Sequence, residues 1–304
     1  MRVFVVGATG VLGRTLLAEL FAHGHTVLAL ARSQDKANLL HGWGAEAVPG
    51  DLLAPASFQH ALLGVEAIVN LASDRPAAPA AASDWLMNDL LLHRGTEGLL
   101  AAARRSGVRY YMQPSSAELY RPQGEGWLTE DAPLEPAEEL RSLLGAEEAA
   151  ANAGIPYAIL RAGRYYGDGA PFGARLLSQV EAGVLRLAHR GSNWLSLTHL
   201  FDMAKAMRLC LEQQPSGRIY NVCDDFPRPE RDLLAALAAG TGARLELGDA
   251  PPPDSGRRVA NRRLREEVGF VPYYPDAVVG LLSLRAREQD SRHEDAPGVL
   301  KRES

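Results

Sequence analysis

The stretch Val3-Phe4-Val5-Val6-Gly7-Ala8-Thr9-Gly10-Val11-Leu12-Gly13 decides the fold. Its first four residues are continuously apolar and mostly β-branched, the pattern of a strand covered on both faces. Gly7 ends that strand. Val11, Leu12, Leu16, Leu20 and Phe21 then recur at helical spacing, which predicts a helix from Gly10 to His23 with those five side chains buried. Glycines at 7, 10 and 13 allow a tight turn, bring backbone N–H groups close to a ligand and let the helix press on the sheet. A helix that starts there offers unpaired N–H groups and its positive dipole end to a phosphate. Gly7, Thr9, Gly10, Val11, Leu12 and Gly13 therefore read as a pyrophosphate cradle, and the order strand, glycines, helix makes it the cradle of a dinucleotide-binding unit.

The end of the second strand, Thr26 to Ala31, bears on which dinucleotide is bound. An acidic residue there would accept hydrogen bonds from the ribose hydroxyls of NAD. Arg32 and Ser33, with Lys36 one turn on, instead present a guanidinium and a hydroxyl suited to a 2′-phosphate. NADP is favoured over NAD. Asp51, which follows the third strand Ala47-Val48, has two readings: a neighbour of the adenine, or an aspartate capping a turn or helix.

Downstream, short apolar runs alternate with longer helix-period segments, which predicts an α/β doubly wound parallel sheet built from βαβ units. The expected order is a fourth strand at 67–71, a long helix from Trp85 to Arg105, a fifth strand from Val108 to Gln113, a helix from Pro136 to Asn152 and a sixth strand from Tyr157 to Leu160. Residues 164–190 are rich in Gly and Arg and leave the sheet. Helix then returns over Ser196 to Cys210, followed by a strand at 218–222, and Pro227 to Arg287 reads as two helices separated by Pro251-Pro252-Pro253. The expected division is a dinucleotide-binding domain of residues 1–163 and 195–222, a substrate lobe of 164–194 and 223–287, and a disordered polar tail over 288–304.

A chain of 304 residues buries an ample core without disulfides, and Cys210 and Cys223, both in apolar settings, read as reduced core thiols. With 46% hydrophobic residues, 23% charged residues and a formal charge of -5, neither nucleic-acid binding nor attraction to an anionic membrane is expected. A strand beginning at Arg2 comes too early for a signal-peptide core of ~7–15 residues. No run approaches the ~18 apolar residues of a membrane span. A cytoplasmic location is expected, and no metal.

The glycine motif, Gly50-Asp51-Leu52, Asn70-Leu71-Ala72-Ser73, Pro114-Ser115-Ser116-Ala117-Glu118-Leu119-Tyr120, Leu128-Thr129-Glu130-Asp131, Leu160-Arg161-Ala162-Gly163-Arg164-Tyr165-Tyr166-Gly167 and His199-Leu200-Phe201-Asp202 together resemble the extended short-chain dehydrogenase/reductase family. Sugar-nucleotide epimerases and dehydratases are its familiar members. The resemblance runs in order to about residue 285. It implies a Rossmann fold with a smaller C-terminal substrate lobe, and it adds Leu52, Leu71, Ala72 and Ser73 to the cofactor contacts. It also implies a catalytic set of Ser, Tyr and Lys, usually with a helix Asn. In that chemistry the phenol exchanges a proton with substrate while hydride moves at the nicotinamide. A free phenol has a pKa of about 10, so it needs the neighbouring ammonium to act near neutrality.

Ser116 matches the family serine, but the pair does not survive. The family's Tyr-Gly-x-Ser-Lys-x-x-x-Glu segment falls on Glu139 to Glu147, with Glu139 at the tyrosine position and Leu143 at the lysine position. Leu92 stands where the helix Asn would be. No tyrosine lies between 121 and 156 and no lysine between 37 and 204, so no shift of the alignment restores the pair.

Several readings of the altered site follow. Glu139 either acts as a general acid beside Leu143 or is an exposed carboxylate at a helix start. Alternatively, an oxidoreductase or epimerase takes its proton from Tyr120, Tyr166, Ser116 or water. Tyr120, Arg164, Tyr166 and His199 are expected at a small-molecule substrate, anionic or a sugar nucleotide, although His199 also suits a role holding the turn before Asp202. The resemblance extends to a non-catalytic alternative, the dinucleotide-sensing regulators of the nitrogen-metabolite-repression type. Family members dimerise through two long helices, and Leu90-Leu91-Leu92 with Leu99-Leu100 serve either such a homodimer face or the core.

Overall fold

The structure is a computed structural model that describes residues 1–76, 81–251 and 256–294. Five strands lead the chain: β1 (Arg2–Val6), β2 (Thr26–Ala31), β3 (Glu46–Pro49), β4 (Ala67–Asn70) and β5 (Tyr110–Ser116). With Tyr157–Ala162 and Arg218–Val222 they form a seven-stranded sheet, ordered Arg218–Val222, Tyr157–Ala162, β5, β4, β1, β2, β3. All its pairings are parallel; Val3, for example, lies opposite Val27 on one side and Ala67 on the other. The strand order reverses between β1 and β4, which opens a crevice at the carboxyl edge of the sheet where β1 delivers the glycines.

The continuous hydrophobicity of β1 follows from this placement. Val3 and Val5 pack with helix α1 (Val11–Ala22), helix α2 (Gln34–Gly42) and the helix Leu200–Gln213. Phe4 and Val6 pack on the opposite face, where the segment Leu86–Arg105 and the helix Arg141–Asn152 lie. Leu16 and Leu20 are buried as expected. Val11 is not: it stands 39% exposed at the helix start, because the cradle opens there rather than onto the core.

Leu91, Leu92, Leu99 and Leu100 are all buried within the chain. These four thus take the core role that was one of the two expected for them, and Leu90 is half-buried. The long helix is continuous in outline but has a π turn at Leu91–Gly95, between Leu86–Leu90 and Thr96–Arg105. A Cβ at Gly95 would sit 2.8 Å from a Leu52 methyl, so this turn seats the loop after β3.

The second lobe has its own core, including Leu176, Leu177, Leu185, Leu233, Leu237 and Leu281. Here the sequence reading is corrected. Among the described residues beyond Pro227 there are three helices, Glu230–Thr241, Arg262–Val268 and Ala277–Glu294, and the strand Arg244–Ala250, which pairs with Val184–His189, besides the two-residue strands Arg228–Pro229 and Arg258–Val259. Leu245 and Leu247 alternate with Arg244, Glu246 and Gly248, a period-two signal that the two-helix reading passed over. Pro252 and Pro253 lie outside the described residues. The final helix runs to Glu294, through the first part of the stretch expected to be a tail; 295–304 lie outside the described residues. Among the described residues no helix is long and apolar enough to cross a membrane.

Candidate dinucleotide and substrate site

At the β1–α1 turn, Gly7 adopts φ +77°, and a Cβ there would lie 2.6 Å from the Leu71 carbonyl oxygen. A Cβ at Gly13 would lie 2.5 Å from the carbonyl oxygens of both Gly7 and Ala8. The turn is closed by Gly10 N–H donating to Gly7 O at 3.0 Å. Gly10 caps α1 without a side-chain hydrogen bond, and the first turn of α1 contains no acidic residue. The N–H groups at this terminus are thus not answered by protein side chains, and three glycines keep the approach clear. These features fit a dinucleotide pyrophosphate.

Leu71, Ala72 and Ser73 leave β4 beside the cradle, held by a buried polar network. Asn70 Nδ2 donates to Thr96 Oγ1 at 3.0 Å and to Tyr111 Oη at 3.1 Å, and Ala72 N–H donates to Asn70 Oδ1 at 3.3 Å. Tyr111 in turn donates to Gln113 at 2.7 Å. Asn88 is buried one turn before Leu92, and its Oδ1 accepts from Asp74 N–H at 3.1 Å, so the amide found on this helix supports the loop.

At the end of β2, Arg32 is exposed and, among the described residues, in no ion pair. Ser33 caps α2, its Oγ accepting from Lys36 N–H at 3.3 Å. Asp51 is exposed and holds a turn: Oδ1 accepts from Leu53 N–H at 2.9 Å. The Leu52 side chain is buried in the core rather than turned to the crevice.

The catalytic candidates are separated by environment. Ser116 is half-buried at the end of β5, and its Oγ accepts from Glu118 N–H at 3.1 Å. Glu139 is exposed on the 3-10 turn Glu138–Leu140, and Arg141 beside it is exposed as well. Glu139 thus lacks the desolvated setting on which its general-acid reading rested.

Three of the four expected substrate residues turn inward. Tyr120 is fully buried and donates to Asn221 Oδ1 at 2.7 Å, its ring centroid 4.9 Å from the Arg161 guanidinium carbon. Arg161 itself is held by Glu147 in a buried bidentate pair, Nε–Oε1 3.0 Å and Nη2–Oε2 2.5 Å. Tyr166 is fully buried in the second lobe's core. His199 stacks on Tyr274 at 3.9 Å and meets Tyr166 edge-on at 4.9 Å. Its Nδ1 accepts from Phe201 N–H at 3.1 Å, so it caps the helix Leu200–Gln213, and burial pushes its pKa down to about 4, leaving it neutral. The covers differ: Tyr166 is packed in the second lobe's core, whereas Tyr120 is covered by Leu128, Cys223 and Val259.

Arg164 is the one that reaches a cleft. Its Nε lies 3.3 Å from Glu118 Oε1, and Arg75 Nη2 lies 3.6 Å from Glu118 Oε2. The cleft is bounded by Glu118, Arg164, Trp194, Ser196 and Arg257. Half-buried Tyr165 lies under the field of Arg75; burial raises its pKa, against the pull of that cation, and keeps the phenol protonated. Sequence reasoning missed Arg75, Glu118 and Tyr165. A usable signal existed, since all three lie just beyond the carboxyl ends of sheet strands, where open α/β sheets bind ligands.

Fold and site define a nicotinamide-dinucleotide-binding class of protein, and comparison specifies the family. Residues 3–223 match the model of the NAD dependent epimerase/dehydratase family, and the chain belongs to that family. It is 31% identical over 319 residues to a 3-diazoavenalumate denitrifying reductase of a Streptomyces species, covering 92% of this chain and 99% of that protein. It is 27% identical to a Stigmatella aurantiaca 4-hydroxy-2-methyl-3-oxo-4-farnesyl-3,4-dihydroquinoline-1-oxide ketoreductase, over 83% of this chain and 76% of that one. Among solved structures, the dTDP-glucose 4,6-dehydratase of Streptomyces venezuelae with NAD and TYD bound superposes with a TM-score of 0.79 at 23% identity, covering 98% and 99% of the two chains.

Proposed function

We propose that this protein is an NADP(H)-dependent reductase acting on a small molecule whose reduction takes no proton from a Tyr–Lys pair. The observation that carries the reading is a contrast: the glycine turn is tightly packed and open to a ligand, while Glu139 and Leu143 occupy the positions that the family resemblance assigns to the Tyr and the Lys, and Glu139 is exposed. Exposed Arg32, free of any carboxylate among the described residues, supports a 2′-phosphate and hence NADP. The reductase and ketoreductase names of the two relatives support the reductive direction.

When bound, reduced nicotinamide supplies hydride. The protein's part is to hold both partners and exclude competing water, with Ser116 a hydrogen-bonding neighbour rather than an acid. Such a site suits an electron-poor carbon that bears a cationic leaving group. In an arenediazonium ion, hydride adds to the ring carbon, the C–N bond breaks and dinitrogen leaves with its electron pair, so no proton is required. The denitrifying relative's name is consistent with that chemistry.

The test uses purified protein, NADPH carrying deuterium at the transferring position and a carboxyarenediazonium salt, with a protein-free control. Protein-dependent dinitrogen release with deuterium on the ring carbon is expected, and Ser116→Ala and Glu139→Gln should retain turnover within about 10-fold, less than the ~10²–10⁴ ascribed to general acid catalysis. A loss beyond 100-fold in either variant would overturn the proton-independent reading. Binding of NADPH without consumption, across this salt and a carbonyl panel, would leave the dinucleotide-sensing regulator as the better reading.

A further inference from the structure

The sheet order locates the nicotinamide end of the crevice. With an adenosine 2′-phosphate on Arg32 after β2 and a pyrophosphate on the glycines after β1, the second nucleoside falls on the other side of β1, over the carboxyl ends of β4, β5 and Tyr157–Ala162. One segment crosses that region. It leaves the sheet after Ala162, which lies opposite Ser116 in register, and runs to Gly169, where a Cβ would meet both Val11 methyls at 3.5 Å. Val11 begins α1, so residues 163–169 connect the strand end beside the family serine to the start of the cradle helix. Gly167 and Gly169, at φ +127° and +81°, supply the turn that brings the chain back.

Within this segment Arg164–Tyr166 is a short strand paired with Leu197–His199, and its side chains alternate. Tyr166 enters the second lobe's core, whereas Tyr165 turns the other way, onto the core of the dinucleotide domain on which Leu12 and Leu71 also pack. Tyr165 is half-buried, and among the described residues its hydroxyl makes no hydrogen bond. Arg75 acts on it from the loop after β4, yet burial outweighs that cation and keeps the phenol protonated, hence a donor. No other phenol is so placed. Of the nine tyrosines, five are fully buried, Tyr157 opens its strand at the amino edge of the sheet, Tyr273 lies under Lys205, and Tyr274 is stacked on His199.

We infer that the Tyr165 hydroxyl donates a hydrogen bond to the nicotinamide riboside of the bound cofactor and so fixes the end that delivers hydride. The inference rests on the cofactor part of the reductase reading and not on the proton chemistry proposed there. Its test is therefore a binding measurement, without turnover, by calorimetry on the full chain. The two ligands are NADPH and adenosine 2′,5′-bisphosphate, which keeps the adenosine and its 2′-phosphate but has no nicotinamide riboside.

In Tyr165→Phe the ratio of NADPH affinity to bisphosphate affinity should fall about 3–10-fold, the scale of one net hydrogen bond, with the whole loss on the NADPH side. A phenol that only supports the fold would weaken both ligands together. A fall in the ratio of less than about 3-fold, whether both ligands weaken or neither does, would overturn the inference. Should the Phe variant fail to bind the bisphosphate, Tyr165→Met fills the space without a hydroxyl and is read by the same ratio. Parent protein that binds neither ligand would overturn the cofactor reading itself, and the inference with it.

Discussion

Gly13→Ala isolates the contribution of close packing to cofactor binding. Position 13 lies inside α1, where alanine is the better helix former, so the backbone itself raises no objection. The obstacle is steric. The new methyl would lie 2.5 Å from the carbonyl oxygens of Gly7 and Ala8, both backbone atoms with no side-chain freedom to yield. Relieving that contact moves the helix start by roughly 0.7 Å, which stretches a phosphate hydrogen bond of ~2.9 Å beyond the ~3.2 Å limit of a useful one. Hydrogen bonds to charged groups contribute about 1.5–3 kcal/mol each. Loss of two weakens NADPH binding by roughly 10²–10⁴-fold, at about 1.4 kcal/mol per decade. Nicotinamide fluorescence titration reads this directly, and circular dichroism checks that the helix content survives. An NADPH dissociation constant within about 3-fold of the parent protein would refute the argument that α1 must touch the Gly7–Ala8 turn.

Arg32→Glu should weaken NADPH and strengthen NADH, reversing the preference in the same titration; an unchanged ratio removes Arg32 from cofactor choice. Glu147→Gln leaves Arg161 buried without its bidentate partner and should cost about 3–5 kcal/mol, lowering the melting temperature by ~6 °C or more, whereas the double variant Glu147→Leu with Arg161→Met should recover much of it. A single-variant melt within about 2 °C of the parent would contradict that account. Asp224, whose Oδ1 accepts from Leu197 N–H at 3.3 Å, has its pKa pushed up to about 7, chiefly by burial. Its folded pKa exceeds the unfolded ~3.9, so its stabilisation is complete below about pH 4 and disappears as pH rises through 7. Asp224→Asn should flatten the fall in melting temperature across that window relative to the parent, and parallel profiles would count against it.

Periodicity was enough for β1, α1, the glycine turn between them and the parallel sheet, because local rules dominate there. Continuous apolar strands, a glycine turn and an amphipathic helix each specify themselves within a few residues. Leu245 and Leu247 show where that stops: a strand at the rim of a small lobe buries little, so its alternation is weak against the surrounding helix signal. Tyr120, Tyr166 and His199 show a different limit. All three are polar-tipped rings beyond or at the ends of strands, and nothing local distinguishes a ring facing substrate from one covered by distant parts of the chain.

The amino-acid order alone therefore determined that glycines stand at 7, 10 and 13 between a strand and a helix and that no Tyr-x-x-x-Lys run occurs, since both are statements about residue type at fixed spacing. Tertiary structure decided which carboxylates and arginines meet. Arg75, Glu118 and Arg164 are far apart in the chain and come together only because β4, β5 and Tyr157–Ala162 are sheet neighbours that end at one edge. The exposure of Glu139 and the burial of His199 were likewise decided there, because desolvation depends on what the rest of the chain packs over a side chain rather than on its neighbours in sequence.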